Sequence, residues 1–253
     1  MIKQKRYERI LEIINEQHAV SIDDFCDQLG VSKATVRRDL IYLDEQKQLK
    51  RTHGGAVSLV KPVIEDVPIS MRHAMFHNEK ERIAQAAYDM IRDGITVYIG
   101  TGSTTRELAS RLGDFSKLTI LTNDIGVAYE ISQNTSNSLI VAGGKLRPSS
   151  ASLIGPFTEN VLRDLQVELA FMSADSVTVD GFMDLNIEEV SVKRLMIKNA
   201  RKSVMLCDQS KFNHNAFMTI CPLSGVDLTI TNDELDPEIE KGLRDNGIEL
   251  HTV

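Results

Sequence analysis

Between residue 79 and the end of the chain, segments with helical spacing of apolar residues alternate with short β-branched segments, and this alternation restricts the fold most strongly. The strand-like segments are predicted at residues 95–99, 118–122, 138–142, 168–174, 203–207, 227–231 and 248–252. Helices are predicted at residues 79–93, 104–112, 124–133, 156–165, 188–200 and 236–246. Because alternating strands and helices build parallel sheets covered on both faces, we expect a mostly parallel α/β domain over residues 78–253.

The first 57 residues follow a different pattern, in which helical spacing dominates. Apolar residues predict a helix over residues 3–16, and a capping box at Ser21 predicts a second helix of about two turns that Gly30 ends. Ser32 is a suitable N-cap for a third helix, and residues 49–57 with their Gly-Gly pair predict a β-hairpin. This order predicts a winged helix-turn-helix domain over residues 1–57.

The outward face of the third helix carries the residues that we expect to contact DNA. A rotation of 100° per residue turns Ala34, Thr35, Arg38 and Tyr42 away from the apolar face, which Lys33 and Arg37 flank. The first turn of such a helix can enter the major groove. The candidates on this helix and on the hairpin are Ser32, Lys33, Thr35, Arg37, Arg38, Tyr42, Arg51 and His53. The spacing alone also fits a small helical domain with a solvated basic face.

The net charge of −7 argues at first against a polyanionic partner. The charge is unevenly distributed, however, because residues 1–57 hold ten Lys/Arg and nine Asp/Glu, whereas the rest holds nineteen and twenty-seven. Residues 32–57 hold six basic and three acidic side chains. The acidic balance therefore describes the second domain, and DNA binding stays compatible with the sequence.

Residues 58–77 are predicted as a linker, because the stretch contains Pro62 and Pro68 and lacks helical periodicity up to Ser70. His73, His77 and Glu81 are four residues apart, and on one continuous helix they would share a face. Polar surface residues often have this spacing and no fourth ligand is indicated, so we expect no metal site, and we expect no cofactor.

The loop after the first predicted strand of the second domain has the composition of an anion site. Its candidates are Gly100, Thr101, Gly102, Ser103, Thr104 and Thr105. Small residues let backbone N–H groups and hydroxyls surround an anion at the positive end of a helix. A tight strand–helix turn with a Ser or Thr cap has the same pattern. The spacing matches neither GxGxxG nor a P-loop, so we do not expect a nucleotide.

Other polar residues follow later strands and are expected at the same sheet edge, where ligands of open α/β sheets bind. These further ligand candidates are Asn123, Lys145, Arg147, Lys193, Asp208 and Lys211. Each cation alone has the character of an ordinary surface residue. Several cations beside a Gly/Ser/Thr loop, inside an acidic domain, favour a small phosphorylated ligand over a polyanion.

Cysteine content and hydropathy exclude several classes of protein. Cys26, Cys207 and Cys221 form no CxxC pair, which fits a reducing cytoplasm and offers neither a disulfide framework nor a zinc site. No strictly apolar run exceeds four residues, and the charged start of the chain is unlike a signal peptide. We therefore expect a cytoplasmic protein with no membrane partner.

The first domain closely resembles the DeoR-type winged helix-turn-helix of bacterial repressors. The motifs that carry this resemblance are Arg6-x-x-x-Ile10-Leu11, Val20-Ser21, Leu29-Gly30-Val31-Ser32, Thr35-Val36-Arg37-Arg38-Asp39-Leu40, Leu43 and Arg51-Thr52-His53-Gly54-Gly55-Ala56. The resemblance implies that Thr35, Arg37 and Arg38 lie at the DNA face.

The second domain resembles the sugar-phosphate-sensing domain of the same family. The matching pieces are Asp93-Gly94, Gly102-Ser103-Thr104-Thr105, Thr122-Asn123, Gly143-Gly144, Gly155, Gly181, Glu188-Glu189, Val192-Lys193 and Asp208-Gln209-Ser210-Lys211-Phe212. Gly100 stands where the family usually has an acidic residue. The run from Gly100 to Thr104 is similar to the phosphate loop of ribose-5-phosphate isomerase, whose fold is related to this domain.

The sequence is compatible with three functions. The first is a repressor of a carbohydrate or polyol operon that a phosphorylated sugar-type metabolite controls, acting as a homodimer or homotetramer on repeated half-sites. The second is an isomerase-like enzyme, for which the base would come from a set of carboxylates: Asp175, Asp180, Asp184, Glu188 and Glu189. The isomerase motifs D-G-A-D-E and K-G-G-G are absent, so we expect no enzyme. The third is a repressor that responds to an unphosphorylated or acidic ligand.

Overall fold

The computed structural model describes residues 3–17, 19–46, 48–51, 54–58, 69–133, 136–212, 216–235 and 237–253. The chain forms two compact units, residues 1–76 and 77–253. None of the helices in the described part has the length and apolarity of a membrane-spanning segment.

The first unit consists of helices and a small antiparallel sheet. Its elements are α1 (Lys3–Gln17), β1 (Ala19–Ser21), α2 (Ile22–Leu29), α3 (Lys33–Glu45), β2 (Leu49–Arg51), β3 (Gly55–Ser58) and α4 (Ile69–Ala74). The strand order is β1-β3-β2, with β2 and β3 forming the hairpin that the sequence predicted. Ile10, Ile13, Phe25 and Leu40 are fully buried in its core, so the predicted apolar faces of the three helices meet.

Local capping explains where the second and third helices begin and end. Ser21 Oγ accepts a hydrogen bond from the Asp24 amide at 3.1 Å, as the predicted capping box requires. Gly30 ends α2 in the left-handed region with φ +64°, where a side chain would be strained. Its N–H donates to the carbonyl of Cys26 at 2.8 Å. The tight turn of the helix-turn-helix therefore depends on a glycine.

The second unit is built on a seven-stranded sheet with the order β15-β14-β12-β9-β4-β5-β6. The sheet strands are β4 (Thr96–Ile99), β5 (Thr119–Thr122), β6 (Ser138–Val141), β9 (Val167–Met172), β12 (Ala200–Leu206), β14 (Leu228–Thr231) and β15 (Leu250–Thr252). Neighbouring strands are parallel throughout this sheet, which confirms the predicted α/β class.

Helices cover the sheet on both sides, and the sheet lies between two apolar clusters. They are α5 (His77–Tyr88), α6 (Ser103–Ala109), α7 (Ile125–Gln133), α8 (Pro156–Leu162), α9 (Ile187–Asn199) and α10 (Pro237–Asp245). The chain passes from β4 outward to β5 and β6, and then returns to place β9 on the other side of β4. The strand order therefore reverses between β4 and β9, the position where open α/β sheets bind ligands.

Two small antiparallel sheets were not predicted from the sequence. They consist of β7 (Lys145–Arg147) with β8 (Ser152–Ile154), and of β10 (Ser176–Thr178), β11 (Gly181–Asp184) and β13 (Met218–Cys221). Their strands have three or four residues, too few for an alternating pattern to emerge. Lys145 and Arg147 therefore lie on a hairpin strand and not in a loop.

The predicted linker differs in part from the structure. Residues 69–74 form α4, where Ile69 is buried and the helix packs against β1, although the sequence predicted extended chain up to Ser70. Six residues are too few for helical periodicity to be visible. Residues 59–68 lie outside the described residues, and the predicted domain limits at 57 and 78 stay a prediction.

Candidate functional site

The exposed face of α3 carries most of the predicted DNA contacts. Ser32 caps the helix, because its Oγ accepts a hydrogen bond from the Thr35 amide at 3.3 Å. Arg37 and Arg38 are both exposed. Lys33 is also exposed, and its ammonium lies 2.6 Å from a carboxylate oxygen of Asp23 on α2. The first turns of α3 thus present cations to solvent on a helix that is anchored from its other face.

That anchor includes a buried ion pair that the sequence did not reveal. Asp39 is buried next to Val36 and Leu40, and both of its oxygens accept hydrogen bonds from the guanidinium of Arg6 on α1. The same bonds raise the pKa of Arg6. A buried carboxylate requires such a partner. The pair holds α3 against α1 and thereby fixes the direction in which Arg37 and Arg38 point.

Three of the predicted DNA contacts come, in sequence, near the end of α3 or within the hairpin of β2 and β3, which we call the wing. The Tyr42 ring stacks on Tyr7 with centroids 4.8 Å apart, and the Lys3 ammonium lies 5.3 Å from the Tyr42 centroid, so Tyr42 also packs against α1. Arg51 is exposed on β2, and its amide donates to Asp44 at 3.1 Å. His53 lies outside the described residues. DNA contact by these three residues stays a prediction.

The loop after β4 lies at the reversal of strand order. The Gly100 amide donates to the carbonyl of Phe171 on β9 at 2.8 Å, which ties this loop to the neighbouring strand. Gly102 has φ +156°, and a Cβ on it would lie 2.9 Å from Cβ of Ser173, so only glycine fits. Thr105 Oγ1 donates to the Gly102 carbonyl at 2.9 Å. The carboxyl ends of β4 and β9 are therefore in close contact at this loop.

The hydroxyl residues of this loop are buried although they follow a strand end. Thr101, Ser103 and Thr104 expose little surface, and Thr105 exposes none. No side chain among the described residues caps α6, whose N-cap is Gly102. The start of α6 therefore combines backbone N–H groups with nearby hydroxyls, the combination that the sequence predicted for an anion.

Gly100 avoids crowding around Tyr98. A Cβ at this position would lie 3.1 Å from a Tyr98 ring carbon and 3.3 Å from the Phe171 carbonyl oxygen. The buried Tyr98 hydroxyl donates to Asn123 Oδ1 at 2.6 Å, and burial raises the pKa of this phenol. An acidic side chain at position 100 would therefore have to displace Tyr98 or Met172.

Asn123 and Asp124 follow β5 and are held by internal contacts. Asn123 Nδ2 donates to the Leu153 carbonyl at 2.9 Å, so both ends of its amide are engaged. Asp124 accepts hydrogen bonds from two amides at the start of α7 and lies 2.9 Å from the Arg106 guanidinium. Burial raises the pKa of Asp124 in spite of Arg106. The arrangement ties α6 to α7 beside the predicted anion loop.

Lys193, a predicted phosphate ligand, is buried on α9. Its ammonium pairs with Asp184 and lies 3.9 Å from Glu189. Burial raises the pKa of Asp184 to about 7, although Lys193 opposes the shift. These carboxylates neutralise much of the charge that Lys193 would otherwise offer to an anion.

Glu189 is also the partner of Arg147, a second predicted ligand. Arg147 Nη1 lies 2.8 Å from Glu189 Oε1, and the hydroxyls of Ser150 and Ser152 each donate to the same oxygen at 2.7 Å. Burial disfavours ionisation of Glu189, but Lys193, the two hydroxyls and Arg147 hold its pKa below the usual value. The sequence indicated Glu189 as part of a Glu188-Glu189 motif and as a candidate base of the isomerase alternative, but not as the partner of Arg147.

Lys145 and Lys211 are the more accessible predicted cations. Lys145 is exposed, and its ammonium lies 3.6 Å from Glu188. Lys211 is half-buried in a 3-10 turn after β12, where its amide donates to the Asp208 carbonyl at 3.0 Å. Within the described ranges, no carboxylate lies within 4 Å of the Lys211 ammonium. Asp208 accepts from the Ser210 amide at 3.0 Å. A ligand role for these residues stays a prediction.

A cavity of about 650 Å³ lies at the opposite, amino edge of the sheet, away from these candidates. Two of its carboxylates already accept hydrogen bonds at strand starts: Glu168 from the Thr96 amide and Asp227 from the Ser203 amide, each at 2.7 Å. Its acidic and basic side chains balance in number, so it has no net charge to attract an anion.

Comparison with known proteins assigns both units. Residues 6–61 match the model of the DeoR-like helix-turn-helix domain, and residues 75–233 match that of the DeoR C-terminal sensor domain. The HTH-type transcriptional regulator GolR of Listeria innocua is 31% identical, over 98% of this chain and 98% of its own. The glycerol-3-phosphate regulon repressor of Escherichia coli is 32% identical over 99% of each.

Several similar solved structures cover between 54% and 60% of the chain. Ribose-5-phosphate isomerase A from Methanocaldococcus jannaschii is 20% identical, with a TM-score of 0.40 over 54% of this chain and 55% of the other. The full-length relatives are regulators, which confirms the prediction that the chain is not an enzyme. The chain belongs to the DeoR family of helix-turn-helix transcriptional regulators.

Proposed function

We propose that the chain represses a carbohydrate or polyol catabolic operon and that a phosphorylated sugar or polyol controls its binding to the operator. The observation that carries the proposal is the pairing of two separate units. One exposes Arg37 and Arg38 on a capped helix, and the other places buried hydroxyls at the reversal of a parallel sheet. The name of the E. coli relative, a glycerol-3-phosphate regulon repressor, supports a ligand of this class.

DNA recognition depends on the first turns of α3 in the major groove. Thr35 and Arg38 read base edges, whereas Lys33 and Arg37 contact phosphates, and Arg51 on the wing adds a backbone contact. One such helix reads few base pairs. Two or four copies of the chain therefore act together on repeated half-sites in the cytoplasm.

In this proposal the effector's phosphate binds at the start of α6. Backbone N–H groups of residues 102–105 and the hydroxyls of Ser103 and Thr104 receive its oxygens. Lys211 supplies the positive charge, because Arg147 and Lys193 are already paired with carboxylates. Arg147 and Lys193 then act mainly by holding in place Glu189 and the loops around the phosphate site.

Control by the effector follows from its unequal affinity for two arrangements of the oligomer. The ligand shifts the population toward the arrangement that it binds more tightly, and only by that difference in affinity. In the ligand-bound arrangement the paired α3 helices no longer fit successive half-sites. The operator is then released.

Fluorescence anisotropy with the DNA upstream of the chain's own operon tests DNA binding. Wild-type protein should bind this DNA more tightly than a scrambled duplex. Arg37→Ala should weaken binding and reduce the slope of log K against log salt by about one. Lys241→Ala, which removes an exposed cation from α10, is the matched control and should bind like wild type. Equal affinity for operator and scrambled DNA refutes the proposal.

A thermal-shift screen of sugar phosphates, polyol phosphates and their unphosphorylated forms tests the effector. A true effector raises the melting temperature and reduces operator affinity. The stabilisation should be lost in Lys211→Ala and Thr104→Val and kept in Lys198→Ala, which removes an exposed lysine at the end of α9. Stabilisation by an unphosphorylated or acidic compound that Lys211→Ala leaves intact refutes the phosphate assignment.

A further inference from the structure

Three potential metal ligands meet where α5 and α6 pack together. His77 is the first residue of α5, Glu81 follows one turn later, and Glu107 lies on α6. His77 Nδ1 is 3.2 Å from Glu107 Oε1, and His77 Nε2 is 3.6 Å from Glu81 Oε1. One ligand atom from each side chain lies within 4.8 Å of the others.

The chemistry of this set suits a divalent first-row transition metal. Imidazole nitrogen with carboxylate oxygen is a common donor set for zinc, whereas magnesium and calcium prefer oxygen alone. Zinc bonds of about 2.1 Å to nitrogen and oxygen place tetrahedral ligand atoms about 3.4 Å apart. Because the three atoms lie within 4.8 Å of one another, each pair has to approach by about 1.4 Å at most.

The exposed side chains of His77 and Glu81 can move to close these distances. The side chains of His77 and Glu81 are 47% and 46% exposed, whereas that of Glu107 is 9% exposed. The guanidinium of Arg111 lies 3.9 Å from Glu81 Oε1, which is too far for a hydrogen bond, so this contact leaves the carboxylate able to move. We propose that His77, Glu81 and Glu107 bind one zinc-type divalent metal ion, with water completing its coordination.

Sequence spacing suggested a different set and led to the expectation of no metal. It aligned His73 with His77 and Glu81 on one helix, but His73 belongs to α4. A break at Phe76, with φ +53°, separates that helix from α5. The third ligand, Glu107, is 30 residues beyond His77 and comes from a neighbouring helix, so no local pattern could indicate it.

Zinc titration of the tag-free, full-length protein tests the proposal. After dialysis against EDTA and then chelator-free buffer, one equivalent of Zn²⁺ should bind in competition with a chromophoric chelator, and millimolar Mg²⁺ should not displace it. His77→Gln and Glu107→Gln should each weaken binding by about a hundredfold, because each removes one of three protein ligands. Substituted Co²⁺ should show d–d absorption that His77→Gln abolishes.

His73→Gln is the matched control and should leave zinc affinity unchanged. His77 is exposed, so His77→Gln keeps the test decisive even if Glu107→Gln fails to fold. No binding, or binding that His77→Gln leaves unaltered as for an adventitious ion on another histidine, overturns the proposal. The readout is metal binding alone, so neither outcome depends on the proposed effector or operator.

Discussion

Removing Arg6 should destabilise the DNA-binding unit far more than a typical surface change. In Arg6→Met the aliphatic stem keeps its packing, but the carboxylate of Asp39, 2% exposed, loses the partner that binds both of its oxygens. A buried ion pair broken from one side costs about 3–5 kcal/mol. Arg6 itself is 13% exposed and can reach water, so Asp39→Leu should cost less than Arg6→Met.

Amide hydrogen exchange in the full-length chain measures this effect within α3. At pH 7, Arg6→Met should speed exchange of the buried α3 amides by about a hundredfold or more, the factor that 3 kcal/mol implies. The double variant Arg6→Met/Asp39→Leu should return to within about 1 kcal/mol of wild type, because it leaves no charge unpaired. Arg9→Met breaks an exposed pair with Glu12 on the same helix and should change exchange by less than about fivefold.

Two results would refute this reasoning. One is a change of less than about fivefold, or 1 kcal/mol, in Arg6→Met. The other is a double variant that loses as much stability as the two single variants together, because free energies add in this way only when the two side chains do not interact.

Two further predictions concern stability. Gly30→Ala should destabilise the first unit by about 1–2 kcal/mol, because φ +64° is strained for alanine. Gly242→Ala, in the open interior of α10, should stabilise the second unit by about 0.5–1 kcal/mol. Urea midpoints measure both changes, and a shift of the same sign in the two variants contradicts the argument. Hydrogen bonds from Thr96 hold the pKa of Glu168 below its ordinary value of 4.5, so Glu168 stabilises the fold above that pH, and this contribution is lost as pH falls through the lowered pKa. Glu168→Gln should therefore flatten the acid loss of stability between pH 5 and 3, and an unchanged pH profile would speak against it.

Elements with enough length and periodicity could be predicted from the sequence. The predicted strand at residues 118–122 is observed as Thr119–Thr122, and the predicted helix at 188–200 as Ile187–Asn199. The hairpin of Lys145–Arg147 with Ser152–Ile154 was missed, because strands of three residues owe their conformation to the surface on which they lie.

The polar contacts that hold the candidate sites could not be predicted in the same way. Arg6 and Asp39 are 33 residues apart, and Ser152 and Glu189 are 37 apart, so each pair exists only after the tertiary structure has formed. The sequence indicated which residues carry charge. It did not indicate which charges are neutralised, and this is why Lys193 was expected to be an available cation.

The reversal of strand order at β4 has a consequence for how the second unit assembles. β4, β5 and β6 pair with neighbours that are close in sequence, whereas β9 joins β4 only after some 70 residues have intervened. Closing that long loop costs entropy before the pairing repays it, so the β4–β9 junction should be a late step in folding. A small molecule seated there has no binding site until the two halves of the sheet have joined. It would therefore act as a clamp on the junction and favour the completed sheet over every partly assembled form.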